Sequence, residues 1–592
     1  MSMIGYCVGF GNLWRFPYLC NRNGGGAFLI PFVILLVSTT LPLIYLEAYL
    51  GQFSGKGTFK VWNFCPLLKG IGIGILIQLV LCLPYYQILL AWPIYYMVRS
   101  CSSVLPWTTC GNWWNTELCV EDISVFKSSF THSSGFKNST DVGNSNGTVN
   151  NIKDLWRNKT LAHSAVEEFY QYNVLRISDG IHEVGSIQWH ILGCLFASYI
   201  IIFLCLCRGV KATGKIVYVT ALLPYILLTA IIIRASMLPG AVDGMLYYMS
   251  PDFSKLLEIQ VWLEACIQVF YSLGPGWGII MTASSYNKFN EPTLRDSIML
   301  CLTSEGTSIF AGFVTFSVLG VMAKRFGVPI SEVVSSGPGL LFVAYPEALS
   351  YLPLPQMWSF LFFLMLLTVG LDSQFLYAEI VSTAMLDQFP KTLGPKRVFV
   401  TSAICLVAFL LGIIICTQGG PYIMQLLDWY LAALSVFLFC ILECVAAVWF
   451  YGIKQLSDDI NTMSGRHLPV LLKVMLGFIT PGILVVVFLM TIVQYQSPTY
   501  GKYTYPGEAT VVGWVIALLP VIPIPIMMII ELRKQRGSTL QQKLMLSLQP
   551  NMEWSPAKVS LASKYRDSLI RNRRTFSGNL SYIFKSETNN TN

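Results

Sequence analysis

Two apolar runs of this 592-residue chain are interrupted by glycine. The first reads Gly5-Tyr6-Cys7-Val8-Gly9-Phe10-Gly11-Asn12 and the second Tyr271-Ser272-Leu273-Gly274-Pro275-Gly276-Trp277-Gly278. Inside a helix, Gly costs about 1 kcal/mol and Pro about 3, so Gly-Pro-Gly at mid-run marks a place where a helix breaks. Backbone bared in hydrocarbon must be satisfied by protein or by a ligand. A broken helix offers carbonyls to a cation and N–H groups, at the positive end of a dipole, to an anion. Two such breaks make a site for a carboxylate and for sodium, against the plainer alternative of packing glycines and simple kinks. Asp372 adds a carboxylate deep in a third apolar run, with no evident cationic partner in that helix. Ionisable residues at such depth are functional by default, and hard cations take oxygen ligands.

The elements that must position these groups follow from composition. Hydrophobic residues make up 54% of the chain and charged residues 12%, with a mean hydropathy of +0.58. Soluble domains carry roughly 25% charged residues, which excludes a string of them here. A hydrocarbon core of about 30 Å needs roughly 20 apolar residues per helix. Such runs lie near 26–50, 71–98, 188–206, 214–233, 262–285, 297–322, 356–385, 398–416, 422–450, 469–494 and 509–531, and an apolar start at 1–18 makes twelve. Runs this long without alternation exclude a β-barrel. The fold class is an all-α polytopic membrane protein.

Lys/Arg bias in short loops sets the orientation. Lys56, Lys60 and Lys69, then Arg208, Lys211 and Lys215, then Lys391, Lys396 and Arg397 fall on one side. The tail shares that side: from Arg533 onward eleven Lys/Arg face three Asp/Glu, which accounts for the whole formal charge of +8. Both termini are therefore expected in the cytoplasm of a plasma-membrane protein, and nucleic-acid binding has no support. The 99–187 segment falls outside and carries N-glycosylation acceptors at Asn138, Asn146 and Asn158. It also holds Cys110 and Cys119, in an oxidising compartment. A disulfide between them is expected, with Cys101 as a third candidate partner, so the pairing stays open. The remaining cysteines lie mostly in apolar runs as core residues, and no His/Cys metal spacing or phosphate-binding loop occurs. No cleavable signal peptide is expected. The basic 533–592 tail is expected to be disordered, with anionic-lipid contact through Arg571-Asn572-Arg573-Arg574.

The run Gly11-Asn12-Leu13-Trp14-Arg15-Phe16-Pro17-Tyr18 with Asn23-Gly24-Gly25-Gly26-Ala27-Phe28 is followed by Ser284-Ser285-Tyr286-Asn287-Lys288-Phe289, Gly370-Leu371-Asp372-Ser373-Gln374-Phe375 and Trp449-Phe450-Tyr451-Gly452. Together these resemble the sodium- and chloride-coupled neurotransmitter and amino-acid symporters, most of all the glycine and neutral amino-acid branch. The resemblance covers about residues 3 to 532. It implies twelve transmembrane helices in two inverted five-helix repeats, helices 1–5 and 6–10, with helices 1 and 6 broken. It implies a transporter domain at 1–532, import by alternating access, sodium as coupling ion, chloride as an assisting one, and no enzyme chemistry.

The same resemblance implies the sites. One sodium would be held by carbonyls of Gly5, Val8 and Val369 with the side chains of Asp372 and Ser373. A second would use the Cys7 carbonyl, Asn12, Ser272, Ser304 and the substrate carboxylate; Ser304 stands where the family has Asn. The substrate carboxylate would meet Tyr86 and N–H groups near Gly9 and Gly11, and its amino group the carbonyls around Ser272 and Gly274. Monoamine carriers of the family have Asp where this chain has Gly9, so the substrate brings its own carboxylate. Cys82, Trp277 and Tyr377 would leave room for a small side chain, as in glycine or alanine. Arg15 and Asp428 resemble the outer ion pair, Tyr271 a lid partnered by Tyr86, and Tyr286 and Asp387 half of an inner gate. Chloride would use Gln268, Ser272 and Ser308, but Phe32 replaces a ligating Tyr. Glu305, near Ser308 on the helix face, would partly replace the anion and weaken chloride dependence, or else face a neighbouring polar group.

The sequence starts at Met1-Ser2-Met3-Ile4, already at the sodium site. It is expected to lack a preceding cytoplasmic segment, since five residues at 1.5 Å each cannot reach the inner surface. Two other functions remain open: carriage of another carboxylate such as GABA, betaine or proline, and a non-transporting membrane partner or receptor-like relative. Oligomeric state is not legible.

Overall fold

The computed structural model describes residues 2–121, 163–207, 210–333, 339–431, 434–501, 503–571 and 576–585. Among them, ten helices are long and apolar enough to cross a bilayer. They are α2 (Gly26–Ser54), α3 (Pro66–Ser100), α4 (Trp189–Leu206), α5 (Tyr218–Ser236), α7 (Thr293–Arg325), α8 (Pro355–Gln388), α9 (Gly394–Cys416), α10 (Gly420–Ser464), α11 (Val470–Val493) and α12 (Gly507–Lys534). Two further units, α1 and α6, are interrupted. α1 runs over Ser2–Cys7, loses its helical turn at Val8 and Gly9, and resumes with a widened turn at Gly11–Arg15 before Phe16–Arg22. α6 runs over Ile259–Leu273 and Ile279–Ser284. Between them Gly274, Gly276 and Gly278 have φ of 62°, 78° and 68°, the left-handed region that only glycine enters without a Cβ penalty. The run at 262–285 is thus two short helices joined by an unwound turn.

Packing follows the split between outward and inward faces. Val511, Val512 and Val515 of α12, and Leu406, Leu410 and Ile414 of α9, stay exposed, as bilayer-facing residues must. Facing residues of α3 and α8 are buried along most of their length, and Gln374 of α8 donates to the Leu83 carbonyl of α3 at 2.9 Å. The interrupted helices lie inside: Cys7, Phe10, Leu273 and Trp277 are all buried.

Cys110 and Cys119 form a disulfide, and Cys119 and Val120 pair in parallel with His163 and Ser164. Cys101 takes no part; its thiol donates to the Met97 carbonyl one turn back. Asn138, Asn146 and Asn158 lie outside the described residues, as do Asn572, Arg573 and Arg574.

The tail differs from the disordered segment expected of it. Leu540–Ser547 and Ala562–Arg571 are helical, and the chain between them docks on the end of the bundle where α2 terminates. The Asn551 N–H donates to the Asn63 carbonyl at 3.0 Å and the Ala557 N–H to the Phe53 carbonyl at 2.7 Å. Trp554 is 3% exposed, with its ring 5.7 Å from both Phe53 and Phe64 and its indole N–H donating to Tyr451 at 3.2 Å. Composition favours disorder only where a segment lacks large apolar groups to bury. Here Trp554, Tyr565, Tyr582 and Ile583, all buried, supply them. Burial of this kind makes Trp554→Ala cost about 3–5 kcal/mol, read as a lower thermal-unfolding midpoint of the purified full chain. An unchanged midpoint would show that the docking contributes nothing.

Candidate functional site

The two unwound stretches face each other across a cavity of about 30 Å³. Gly9, Gly11 and Asn12 of α1 line one side, and Ser272 and Trp277 of α6 the other. Tyr86 of α3 and Ser373 and Tyr377 of α8 complete the wall. A Cβ on Gly11 would stand 2.7 Å from the Tyr271 ring, and one on Gly9 would stand 3.4 Å from the Ser373 hydroxyl and 3.6 Å from that of Tyr86. The main chain approaches the cavity this closely because side chains are absent there.

Side chains from α1, α6 and α7 satisfy the bared backbone. Asn12 folds back on the break: its Oδ1 accepts from the Gly9 N–H at 3.0 Å. Its Nδ2 donates to the Ser308 hydroxyl at 2.8 Å and to the Ser304 carbonyl at 3.2 Å. The Ser304 hydroxyl donates to the Cys7 carbonyl at 3.0 Å, and Gln268 donates to the Gly11 carbonyl at 3.2 Å. Cys7, Asn12 and Ser304 are thus joined by hydrogen bonds, with the Asn12 amide nitrogen turned to Ser304 and its oxygen to Gly9. Ser272, from the helix before the second break, points at the same cluster through Glu305.

Two buried carboxylates mark two polar centres. Glu305 is 4% exposed and accepts from Ser272 at 2.5 Å, Ser308 at 3.2 Å and Ser304 at 3.4 Å. Asp372 is 2% exposed and accepts from Thr220 of α5 at 2.5 Å. Its neighbour Ser373 donates to the Tyr6 carbonyl at 3.3 Å, which brings α8 against the main chain between Gly5 and Val8. Val369, one turn earlier, is also buried. Neither carboxylate has an ion-pair partner among the described residues. A buried carboxylate with hydroxyl donors alone keeps its charge uncompensated, and this oxygen-rich donor set fits sodium.

Several expected residues are placed differently. Cys82 is fully buried but does not line the cavity; Tyr85 and Tyr86, a turn further along α3, do. Trp277 faces inward and stacks on Tyr377, with centroids 6.0 Å apart. Tyr6, which carried no role in the sequence, closes the floor: its ring is 6.0 Å from Tyr377, and its hydroxyl occupies the space where a Cβ on Gly274 would stand. Its place between Gly5 and Cys7 in the broken run was the available signal. Thr220 was missed because a threonine in an apolar run signals nothing until the fold sets it against Asp372. Phe32 packs on Phe16 with centroids 4.8 Å apart, as a plain core ring.

The gate pairs also differ. Arg15 and Asp428 do not form an ion pair: Tyr271 stands between them. The Arg15 guanidinium lies 4.5 Å from the Tyr271 ring centroid, and the Tyr271 hydroxyl donates to Asp428 at 3.3 Å. A cation–π contact thus takes the place of the salt bridge. At the opposite end Tyr286 and Asp387, the two expected members of one half of the inner gate, have separate nearest partners. The Tyr286 hydroxyl reaches Thr383 at 3.2 Å and Glu379 at 3.4 Å, and Arg397 clamps Glu379 at 2.6 and 2.7 Å. Asp387 instead has Lys60 and Lys56 as its charged neighbours.

A bundle of long apolar helices around a polar cavity, lined in part by unwound main chain, is the architecture of a membrane carrier. The model of the sodium:neurotransmitter symporter family matches residues 1–535. The chain is 41% identical over 559 residues to the sodium- and chloride-dependent glycine transporter 1 of Xenopus laevis, covering 94% of this chain and 87% of that protein. It is 40% identical over 576 residues to glycine transporter 2 of the same species, covering 97% of this chain and 72% of that one. The chain belongs to the sodium:neurotransmitter symporter family.

The Asp372 geometry generates a quantitative expectation. Asp372→Asn keeps the shape and removes the charge. It should raise the sodium concentration that half-stabilises the purified protein against heat by at least about tenfold, or about 1.4 kcal/mol. A sodium curve identical to that of the unaltered protein would remove Asp372 from the ion site.

Proposed function

We propose that this protein is a plasma-membrane symporter that imports glycine, or an amino acid little larger, by coupling it to sodium with the assistance of chloride. The observation that carries the reading is the cavity itself. Trp277 and Tyr377, stacked with centroids 6.0 Å apart, fill the wall where a larger side chain would sit, and a space of about 30 Å³ remains. Sodium- and chloride-dependent glycine carriage is also what the names of both Xenopus relatives state of those proteins.

In this reading the chain has twelve spans, counting α1 and α6, in two inverted repeats of five, α1–α5 and α6–α10. The 99–187 segment is outside and both termini are cytoplasmic. One sodium sits on the carbonyls of Gly5, Val8 and Val369 with Asp372 and Ser373. Thr220 is placed behind that carboxylate and holds its orientation. The second sits among the Cys7 carbonyl, Asn12, Ser272 and Ser304 and is completed by the substrate carboxylate, whose other contacts are Tyr86 and the N–H groups at Gly9 and Gly11. The amino group faces the carbonyls about Ser272 and Gly274. Two cations with a zwitterion and one anion move a single positive charge, worth about 2.3 kcal/mol per 100 mV.

Glu305 modifies the role of chloride. The hydroxyls of Ser272 and Ser308, which would ligate chloride together with Gln268, already donate to the Glu305 carboxylate. A fixed negative charge there supplies in part what the mobile anion would.

Labelled-glycine uptake into proteoliposomes tests the whole reading. Glycine is expected to enter with sodium, alanine more weakly, and leucine, GABA and proline not at all. Sodium-independent glycine entry, or efficient leucine entry, would overturn it. With gluconate in place of chloride, the unaltered protein should keep a measurable share of its uptake. Glu305→Gln should lose about tenfold more, near 1.4 kcal/mol, and equal chloride dependence in the two would remove Glu305 from the anion site.

A further inference from the structure

Away from the central cavity, near the disulfide, three nitrogen-rich side chains gather about one group of aromatic rings, with no salt-bridged carboxylate among the described residues. Arg99 is the next-to-last residue of α3, His190 the second residue of α4, and Arg176 lies in the loop between. Arg99 stacks 5.9 Å from the Trp114 centroid and Arg176 4.7 Å from that of Trp113. The two indoles lie edge to face, 5.4 Å apart. Tyr95, one turn before Arg99, closes the group: its hydroxyl donates to Asn173 at 2.6 Å and its ring is 5.0 Å from His190. Tyr95 and the two indoles thus join the three side chains into one group.

None of the three finds a counter-charge among the described residues. Arg99 Nε, Arg176 Nε and His190 Nε2 are buried and make no hydrogen bond there. Glu168, on the same loop, is committed to Asn115 and Thr116. Arg176 is also held with φ 45°, a left-handed conformation that costs energy in a residue with a side chain. The fold thus holds like charges together at an energetic cost and pre-orients two guanidiniums by stacking. Planar, bidentate guanidiniums select tetrahedral or planar oxyanions.

The setting narrows the ligand. Trp189, adjacent to His190, is 75% exposed, Trp113 is 67% exposed, and Val98, adjacent to Arg99, is 64% exposed. Exposed tryptophans beside helix-end cations are the signature of the membrane–water boundary, where phospholipid phosphates lie. We infer that Arg99, Arg176 and His190 form a binding site for a phosphate group at this boundary, supplied by a phospholipid headgroup or by the free ion. The site is independent of the transport reading and stands if that reading fails.

The full chain, purified in detergent, is assayed by native mass spectrometry with added phosphatidylglycerol, and separately by thermal unfolding with added sodium phosphate. The expected result is one retained phospholipid that phosphate displaces, with retention falling about tenfold or more in Arg99→Gln/Arg176→Gln and unchanged in Arg234→Gln. A phosphate-dependent rise in the unfolding midpoint, absent in the double variant and without lipid retention, assigns the site to the free ion. His190→Gln leaves both stacks intact and should weaken binding partially. Should the double variant fail to fold, the phosphate titration of the unaltered protein decides alone. If phosphate neither displaces a lipid nor shifts the midpoint, the inference is overturned and the arginines are aromatic staples for the loop.

Discussion

A peptide group that leaves a helix inside hydrocarbon has no water to bond with, and each unsatisfied group costs several kcal/mol. Val8–Gly9 and Gly274–Gly278 place two such breaks side by side, and the structure around them resolves that cost. Asn12, Ser304 and Gln268 reach the main chain of α1, and Glu47 of α2 accepts from the Gly276 N–H at 2.5 Å. α7 is positioned to serve both breaks, because Ser304 meets the first and Glu305 reaches the second through Ser272. In the proposed function, carbonyls and N–H groups beside the cavity are complemented by a zwitterion and a cation.

The placement of charge follows from the same constraint. Glu305 and Asp372 are held by hydroxyls rather than by Lys or Arg, which leaves their charge to act on a small ion. The cationic side chains sit toward the helix ends. There Arg15 lies on the Tyr271 ring and Arg397 clamps Glu379. Tyr271 thus contacts the cavity and both members of the outer pair, so a change in the cavity has a direct path to the outer end. Tyr286 and Glu379 link α6 to α8 and α9 at the other end.

The docked tail extends this logic beyond the membrane. Trp554 and Tyr565 join Phe53 at the end of α2 to Tyr451 of α10. The tail thus clasps α2 to α10 at one end of the bundle.

Sequence alone determined the helical class, because long apolar runs and scarce charge leave no other way to satisfy a backbone in lipid. It also fixed where the breaks fall, since Gly-Pro-Gly acts locally through backbone geometry, and it marked Asp372 as buried charge. What only tertiary structure decided are distances between segments remote in the chain. Thr220 on Asp372, Tyr6 against Gly274, Tyr271 between Arg15 and Asp428, and Trp554 under Tyr451 join residues more than 100 positions apart, and no local pattern encodes such meetings. Local propensity sets a residue's conformation, whereas its partner is set by how the helices pack.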